Sequence, residues 1–413
     1  MSLPALQGAK RRQRKPKEPR FSCNVVRAAR PKNAEEERER FFAGLRDPCG
    51  CDRRYEPQFQ YDVSQALLDA TLKRHAARLH VAVEDRYVPH ALCILQATLR
   101  EHGSHARYLE SSGGDVLSEQ EARAIVGEYL AQHGAEDDVT VNFNPSLVGQ
   151  ASYEKKGHTL NIRPQGLRRN FIQGTLHHEI GTHYLRSRND RLQPWGRGPS
   201  GRKRYSLEDK NPTEEGLASL HTVLERDGHY LWRPALLYYA AWRAVRLSFH
   251  ELFDDLAQFL GDSEAERWDY CMRVKRGLLD TSQPGGFLKD QMYLAGAIQI
   301  LEQRNRINFH TLYLGKLSVT DAHRCKATNI ARTDGIRLPV FLKGNEAVAR
   351  YRDRLDEMVR DNGLSALVDA RSDQGSSRAR SWSSAPEMRK ASPAAKQMGS
   401  SRASSAAAAV PAS

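Results

Sequence analysis

The chain has little that would cross-link it covalently or carry it through a membrane. Its six cysteines, at positions 23, 49, 51, 93, 271 and 325 of 413 residues, are too sparse and irregular for a disulfide framework. No stretch approaches the ~20 consecutive apolar residues of a membrane span. The basic run Lys10, Arg11, Arg12, Arg14 and Lys15 leads into no apolar region of the kind a secretory leader needs. Together these absences predict neither an integral membrane protein nor a secreted one, but a protein of a reducing compartment, cytosol or nucleus. The chain also has no internal repeat and no linker through its middle. What it has in excess is positive charge: 63 Lys and Arg against 50 Asp and Glu give a net +13, which favours acidic partners without choosing among them.

Three regions follow from composition. Residues 1–54 read as a basic, disordered arm, since ten Lys and Arg against one acid, Glu18, fall between Lys10 and Lys32, with Pro16, Pro19 and Pro31 interrupting any helix. Residues 368–413 read as a disordered Ser/Ala tail. The segment between, 55–367, alternates apolar and charged residues and is expected to form one compact unit of catalytic size. Its first part has helical periods at Ser64 to Leu79 and Pro89 to His102, and Ser118 with Glu121 three residues on opens another that runs to His133. The period then changes. Val139, Val141 and Phe143 alternate, and Gln150 to Lys155, the turn at Lys156 and Gly157, and His158 to Ile162 predict a hairpin. A helix from about Leu167 to Arg188 follows, with Ile172, Leu176 and Ile180 spaced by four. The fold class expected is α+β, predominantly helical, with a small sheet beside this helix.

That helix carries His178-Glu179-Ile180-Gly181-Thr182-His183, two imidazole donors with a carboxylate after the first. Catalytic zinc uses such a set, commonly with the histidines four apart, about 40° around a helix. Here they are five apart, about 140° on an ideal α-helix, so the helix must widen toward a π-type turn, which Gly181 would ease. His177 is expected to be structural. Downstream, Asn211-Pro212-Thr213-Glu214-Glu215-Gly216 reads as a helix start with Asn211 as cap and Pro212 first. Glu214 then falls where a capping-box carboxylate reaches back, and Glu215, one step around, is assigned as the third ligand. His178, His183 and Glu215 leave a fourth position for water around one zinc per chain, with Glu179 as the general base.

The sequence closely resembles the microtubule-associated tyrosine carboxypeptidases over about Tyr55 to Leu367. The residues that carry the resemblance are His177 to Arg186, Gln193-Pro194-Trp195, Asn211 to His221, Leu231-Trp232-Arg233, Thr281 to Gly285, Pro57-Gln58-Phe59 and the run from Phe287 through Lys289, Asp290, Gln291 and Tyr293 to Leu294. The resemblance implies a zinc metallopeptidase that removes the C-terminal tyrosine of α-tubulin. It carries over His178, His183 and Glu215 as ligands and Glu179 as base, and it implies the cytoplasm and the microtubule cytoskeleton as the place of action.

A carboxypeptidase must also bind the terminal carboxylate. Arg273, Lys275 and Arg276 before the Thr281 to Gly286 loop, and Lys289 after it, are the candidate cations. Tyr293 is a candidate donor to a developing oxyanion. A zincin-like fold would place an edge strand beside the site, and His158 to Arg163 is the candidate for pairing with an extended peptide. Leu231 to Leu260 is read as one or two buried helices behind the site, and Cys49 and Cys51 as ordinary free thiols. Two other readings compete: a zinc carboxypeptidase for a different acidic C-terminal peptide, and a basic microtubule-binding module with a vestigial metal site. The intact Glu179 argues against the second. Nucleic acid is disfavoured because the basic run from Lys10 to Lys32 holds no aromatic but Phe21.

Overall fold

The computed structural model describes residues 29–47, 49, 54–70, 85–145, 147, 149–196, 198–208, 212–322 and 330–368. The C-terminal tail, Cys51, Asn211 and most of the arm and of the expected helix Ser64 to Leu79 lie outside them.

Within the stretch expected to be disordered, residues 34–45 instead form a helix, α1 (Ala34–Leu45). The aromatic pair in it explains the difference. Phe41 is fully buried, with its ring about 5 Å from Phe249, Phe253 and Trp268. Apolar payload, not local charge, decides whether such a segment folds. Glu37, also buried, accepts hydrogen bonds from the Tyr55 hydroxyl (2.7 Å) and the Gln58 amide (2.8 Å), tying α1 to the segment that follows.

Helices α2 (Val88–His102), α3 (His105–Gly113) and α4 (Glu119–Gln132) come next. The Ser118 and Glu121 capping box is formed in both directions, as their spacing predicts. Three short strands follow: β1 (Thr140–Phe143), β2 (Ala151–Glu154) and β3 (Thr159–Ile162). β2 and β3 make the expected hairpin, antiparallel with Tyr153 opposite Leu160, and its turn uses positive φ at Gly157 and His158. β3, however, also pairs in parallel with β1, so the sheet order is β1-β3-β2. The strand expected at the edge is therefore the central one. β2 is the edge strand, because β1 has claimed the other side of β3.

One continuous helical stretch then runs through α5 (Arg169–Leu176), a π-helical segment (His177–Tyr184) and α6 (Leu185–Leu192). After α7 (Pro199–Arg204) comes α8 (Thr213–Thr222), which packs between the π segment and a later helix, α13. The intervening elements are α9 (Trp232–Ala244), α10 (Phe249–Asp255), α11 (Ala257–Leu260) and α12 (Glu264–Lys275). α13 (Gln291–Gln303), α14 (Phe309–Leu312) and α15 (Asn345–Asp361) follow. α9 is mostly buried, as its dense apolar sequence predicts, and packs on α2 and α13.

Glycine sets how closely α8 can approach its neighbours. A Cβ on Gly216 would stand 2.2 Å from the backbone carbon of Gly296 in α13, and one on Gly174 would stand 1.9 Å from the Thr222 carbonyl oxygen. Bare backbones therefore meet on both sides of α8, which brings its first turn against the π segment.

Candidate functional site

The five-residue spacing of His178 and His183 is resolved by the π segment, whose wider turn places both rings on one side, 5.0 Å apart between centroids. Side chains hold the widened backbone from behind. Thr182 Oγ1 donates to the His177 carbonyl (2.8 Å), and the Tyr313 hydroxyl donates to the Gly181 carbonyl (2.7 Å). Gly181 has no positive φ. Its role is room, since a Cβ there would meet the Tyr129 hydroxyl at 2.8 Å. That hydroxyl hydrogen-bonds His177 Nδ1 at 2.7 Å, so His177 is structural, as expected.

Each site imidazole is fixed through Nδ1. His178 Nδ1 meets Thr222 Oγ1 at 2.9 Å, and His183 Nδ1 meets Glu214 Oε1 at 2.9 Å. Both Nε2 atoms are thereby turned to a common point. His178 Nε2 lies 3.9 Å from Glu179 Oε1, and His183 Nε2 lies 3.7 Å from Glu215 Oε2. His178, Glu179 and His183 offer donor atoms all within 4.8 Å of one another, and Glu215 approaches from α8 on the His183 side.

Thr222 and Glu214 were not assigned these places from sequence. Thr222 stands seven residues after Glu215, two turns along one face of α8, and that period was the available signal. Glu214 is a correction. In place of capping, its carboxylate accepts from His183, from Lys316 Nζ (2.7 Å) and from the fully buried Arg186. Pro212 precedes the helix without any side-chain cap bond.

Electrostatics sort the groups. Burial, with the neighbouring His183, pulls His178 down to about 3, so its ring is neutral and a donor near pH 7. Burial pulls His183 down as well, but the Glu214 hydrogen bond and the charges of Glu215 and Glu214 reverse this and leave it raised. Burial pushes Glu179 above the usual carboxylate range, against the lowering effects of His183 and the Tyr153 amide. The Glu215 charge, then burial, pushes Tyr293 up, so its phenol stays protonated.

The site opens into a cavity of about 570 Å³. His178, Glu179 and Tyr293 line it, with Arg163, Arg233 and Arg273 on its walls. Of the four cations expected at the substrate carboxylate, Arg273 alone lines the cavity. It is paired with Asp290 at 2.6 Å. Lys275 is buried and donates to the carbonyls of Ala244 (3.2 Å) and Gln283 (2.9 Å), a structural place that corrects the expectation. Arg276 also pairs with Asp290 (3.2 Å) and lies over the Phe287 ring, while Lys289 sits in the turn Leu288–Asp290. Arg233, exposed to the cavity, was missed as a cation although it follows Trp232 in a segment of the resemblance. Trp232 itself is buried and stacks on His105 at 4.7 Å.

The edge of β2 completes the site. The Tyr153 amide donates to Glu179 Oε2 at 2.7 Å, so the side of β2 turned away from β3 faces the base, and Gly149, Gln150 and Ala151 line the cavity.

Two imidazoles presenting Nε2, with carboxylates beside them and a cationic cavity in front, form the donor set that hydrolytic metal centres use. The sequence profile of the microtubule-associated tyrosine carboxypeptidase family matches residues 98–347. Over 345 residues the chain is 39% identical to microtubule-associated tyrosine carboxypeptidase 1 of Mus musculus and of Homo sapiens, covering 83% of this chain and 69% of each relative. Over 343 residues it is 39% identical to "Putative tyrosine carboxypeptidase MATCAP2" of Mus musculus, covering 82% of this chain. The chain spans 62% of that relative's length. The chain belongs to the microtubule-associated tyrosine carboxypeptidase family.

Proposed function

We propose that the chain is a zinc-dependent carboxypeptidase that removes the C-terminal tyrosine of α-tubulin on cytoplasmic microtubules, with a zincin-like arrangement of helix and edge strand. The observation that carries this reading is the gathering of His178, Glu179 and His183 donor atoms within 4.8 Å of one another, with Glu215 3.7 Å from His183 Nε2, beside a cavity that His178 and Glu179 line together with Arg163, Arg233 and Arg273. The residues fit zinc: both imidazoles have Nδ1 engaged and Nε2 presented, and a carboxylate flanks each. His178, His183 and Glu215 would hold the ion. Bound there, zinc lowers the pKa of water toward ~7 and polarises the scissile carbonyl.

The chain's own groups supply the rest. Glu179 has one oxygen pinned by the Tyr153 amide and the other turned toward His178, which suits it to accept a proton from the attacking water and pass it to the leaving amine. Its raised pKa brings donor and acceptor roles closer in energy near neutral pH. Tyr293, kept protonated, can donate to the developing oxyanion. The open edge of β2 can pair an extended tail, and Arg233 with Arg273 can receive its terminal carboxylate.

Purified protein incubated with microtubules should release terminal tyrosine, and a chelator should stop it. A peptide ending in tyrosine should be cleaved and its C-terminal amide should not. Release that persists under chelation, or efficient cleavage of the amide, would exclude this function. Because contacts to an acidic tail are screened as the Debye length falls from ~10 Å at 0.1 M salt to ~3 Å at 1 M, KM should rise with salt more than kcat falls.

A further inference from the structure

His183 is bracketed by two adjacent carboxylates of one helix turn. Glu215 stands on its Nε2 side at 3.7 Å and Glu214 on its Nδ1 side at 2.9 Å. The second contact is elaborately supported. Glu214 Oε1 accepts from both His183 Nδ1 and Lys316 Nζ (2.7 Å), and Oε2 accepts from Arg186. Arg186 is itself fully buried and immobilised, with Nε on the Leu312 carbonyl (3.2 Å) and Nη2 on the Leu317 carbonyl (2.6 Å). Lys316 is anchored through its own amide to Asp190 Oδ1 (3.0 Å).

We propose that Glu214 is a positioning residue: held by Arg186 and Lys316, it fixes His183 as the Nδ1-protonated tautomer and aims Nε2 at the metal position. This rests on the zinc reading above. The chemistry follows from the acceptor count. A carboxylate flanked by two cations stays ionised and has only lone pairs to offer, so the ring nitrogen it meets must carry the hydrogen. His178 Nδ1 meets only the neutral Thr222 hydroxyl, which gives its own hydrogen to the Ala218 carbonyl (2.8 Å) and so accepts from the ring, setting the same tautomer without a charge. The two ligands are thus oriented by partners of different strength, and His183 is the one fixed by charge.

The test measures zinc binding, not turnover. Dissociation constants from competition with a fluorescent chelator should rise 10–100-fold in Glu214→Gln; because the buried Arg186 loses its carboxylate partner, the apo variant should also melt lower, and affinity is compared at a temperature where both apo proteins are folded. Equal zinc affinity in a folded Glu214→Gln variant would overturn the proposal. A wild type that takes up no zinc would overturn the underlying reading and this inference with it, so the two failures are distinct. If the variant does not fold, imidazole 15N spectra of the zinc-loaded wild type decide: His183 should show a protonated Nδ1 and a metal-shifted Nε2. Metal on His183 Nδ1 would overturn the proposal.

Discussion

Glu179 and Glu215 are both carboxylates within reach of the same imidazoles, yet their surroundings give them different work. Glu179 is held by a strand amide and kept high by burial, whereas Glu215 sits against His183 and the Tyr293 phenol. Glu179→Gln should therefore retain zinc and fold while kcat falls by about 10²–10⁴, the usual share of a general base. Glu215→Gln should lose zinc. The check is metal content beside turnover in both variants, and the reverse pattern would exchange the two roles. That these residues come together around the two imidazoles was legible, because their spacing is the one a single ion would require. Glu214 was not, because the local rule for the third position of a helix offered a sufficient job, and its real partners, Arg186 and Lys316, come from 28 residues before it and 102 after it. The same limit applies to Lys275, which sequence showed as one cation in a cluster and the structure shows donating to backbone carbonyls inside the protein.

At the scale of elements, the site depends on how closely α8 lies against its neighbours. Gly216→Ala would drive a Cβ to 2.2 Å from Gly296 backbone carbon and 2.6 Å from the Ala297 nitrogen, and neither can rotate away as a side chain would. The variant should lose about 3 kcal/mol of stability, at the high end for overpacking, and bind zinc more weakly because Glu215 is the preceding residue. Gly127→Ala on the exposed face of α4 is the contrast. Nothing lies within 4 Å of its added Cβ, so relief of helix glycine should stabilise by about 0.5–1 kcal/mol. Urea unfolding of the two variants checks both signs. The π segment could be anticipated because two histidines five apart cannot share an ion on an α-helix, and the hairpin because its turn chemistry is local. The order β1-β3-β2 could not be, since strand alternation says which faces are buried and nothing about which neighbour a strand takes.

Across the whole molecule, histidine burial sets the response to acid. Burial lowers His133 and holds His221 well below the usual histidine range, and it pulls His177 and His178 down to about 3. The unfolded chain takes up these protons near pH 6.5 and the folded chain does not, so stability falls as pH drops below that value. Each fully suppressed histidine contributes about 1.4 kcal/mol per pH unit. Glu179, Glu56 and Asp269 act in the opposite sense, because burial raises each pKa and lets the folded state hold a proton that the unfolded chain has released, but they are three groups against four. His183, also raised, favours the folded state fully below pH 6.5 and so adds no slope there. Below about pH 4 the lowered carboxylates extend the loss: Arg273 and Arg276 outweigh burial at Asp290, as Lys316 and Arg186 do at Glu214, and protonation removes both pairings. Urea unfolding in excess chelator should therefore show stability constant to within about 1 kcal/mol from pH 8 to 7, then falling on the order of 3 kcal/mol per unit between pH 6.5 and 5. His221→Asn should reduce that slope by about one histidine's share while leaving zinc content unchanged. A slope of zero between pH 6.5 and 5 would mean that the buried imidazoles are hydrated in solution, and with them the polar layer in which Thr182 joins His221 to the π segment.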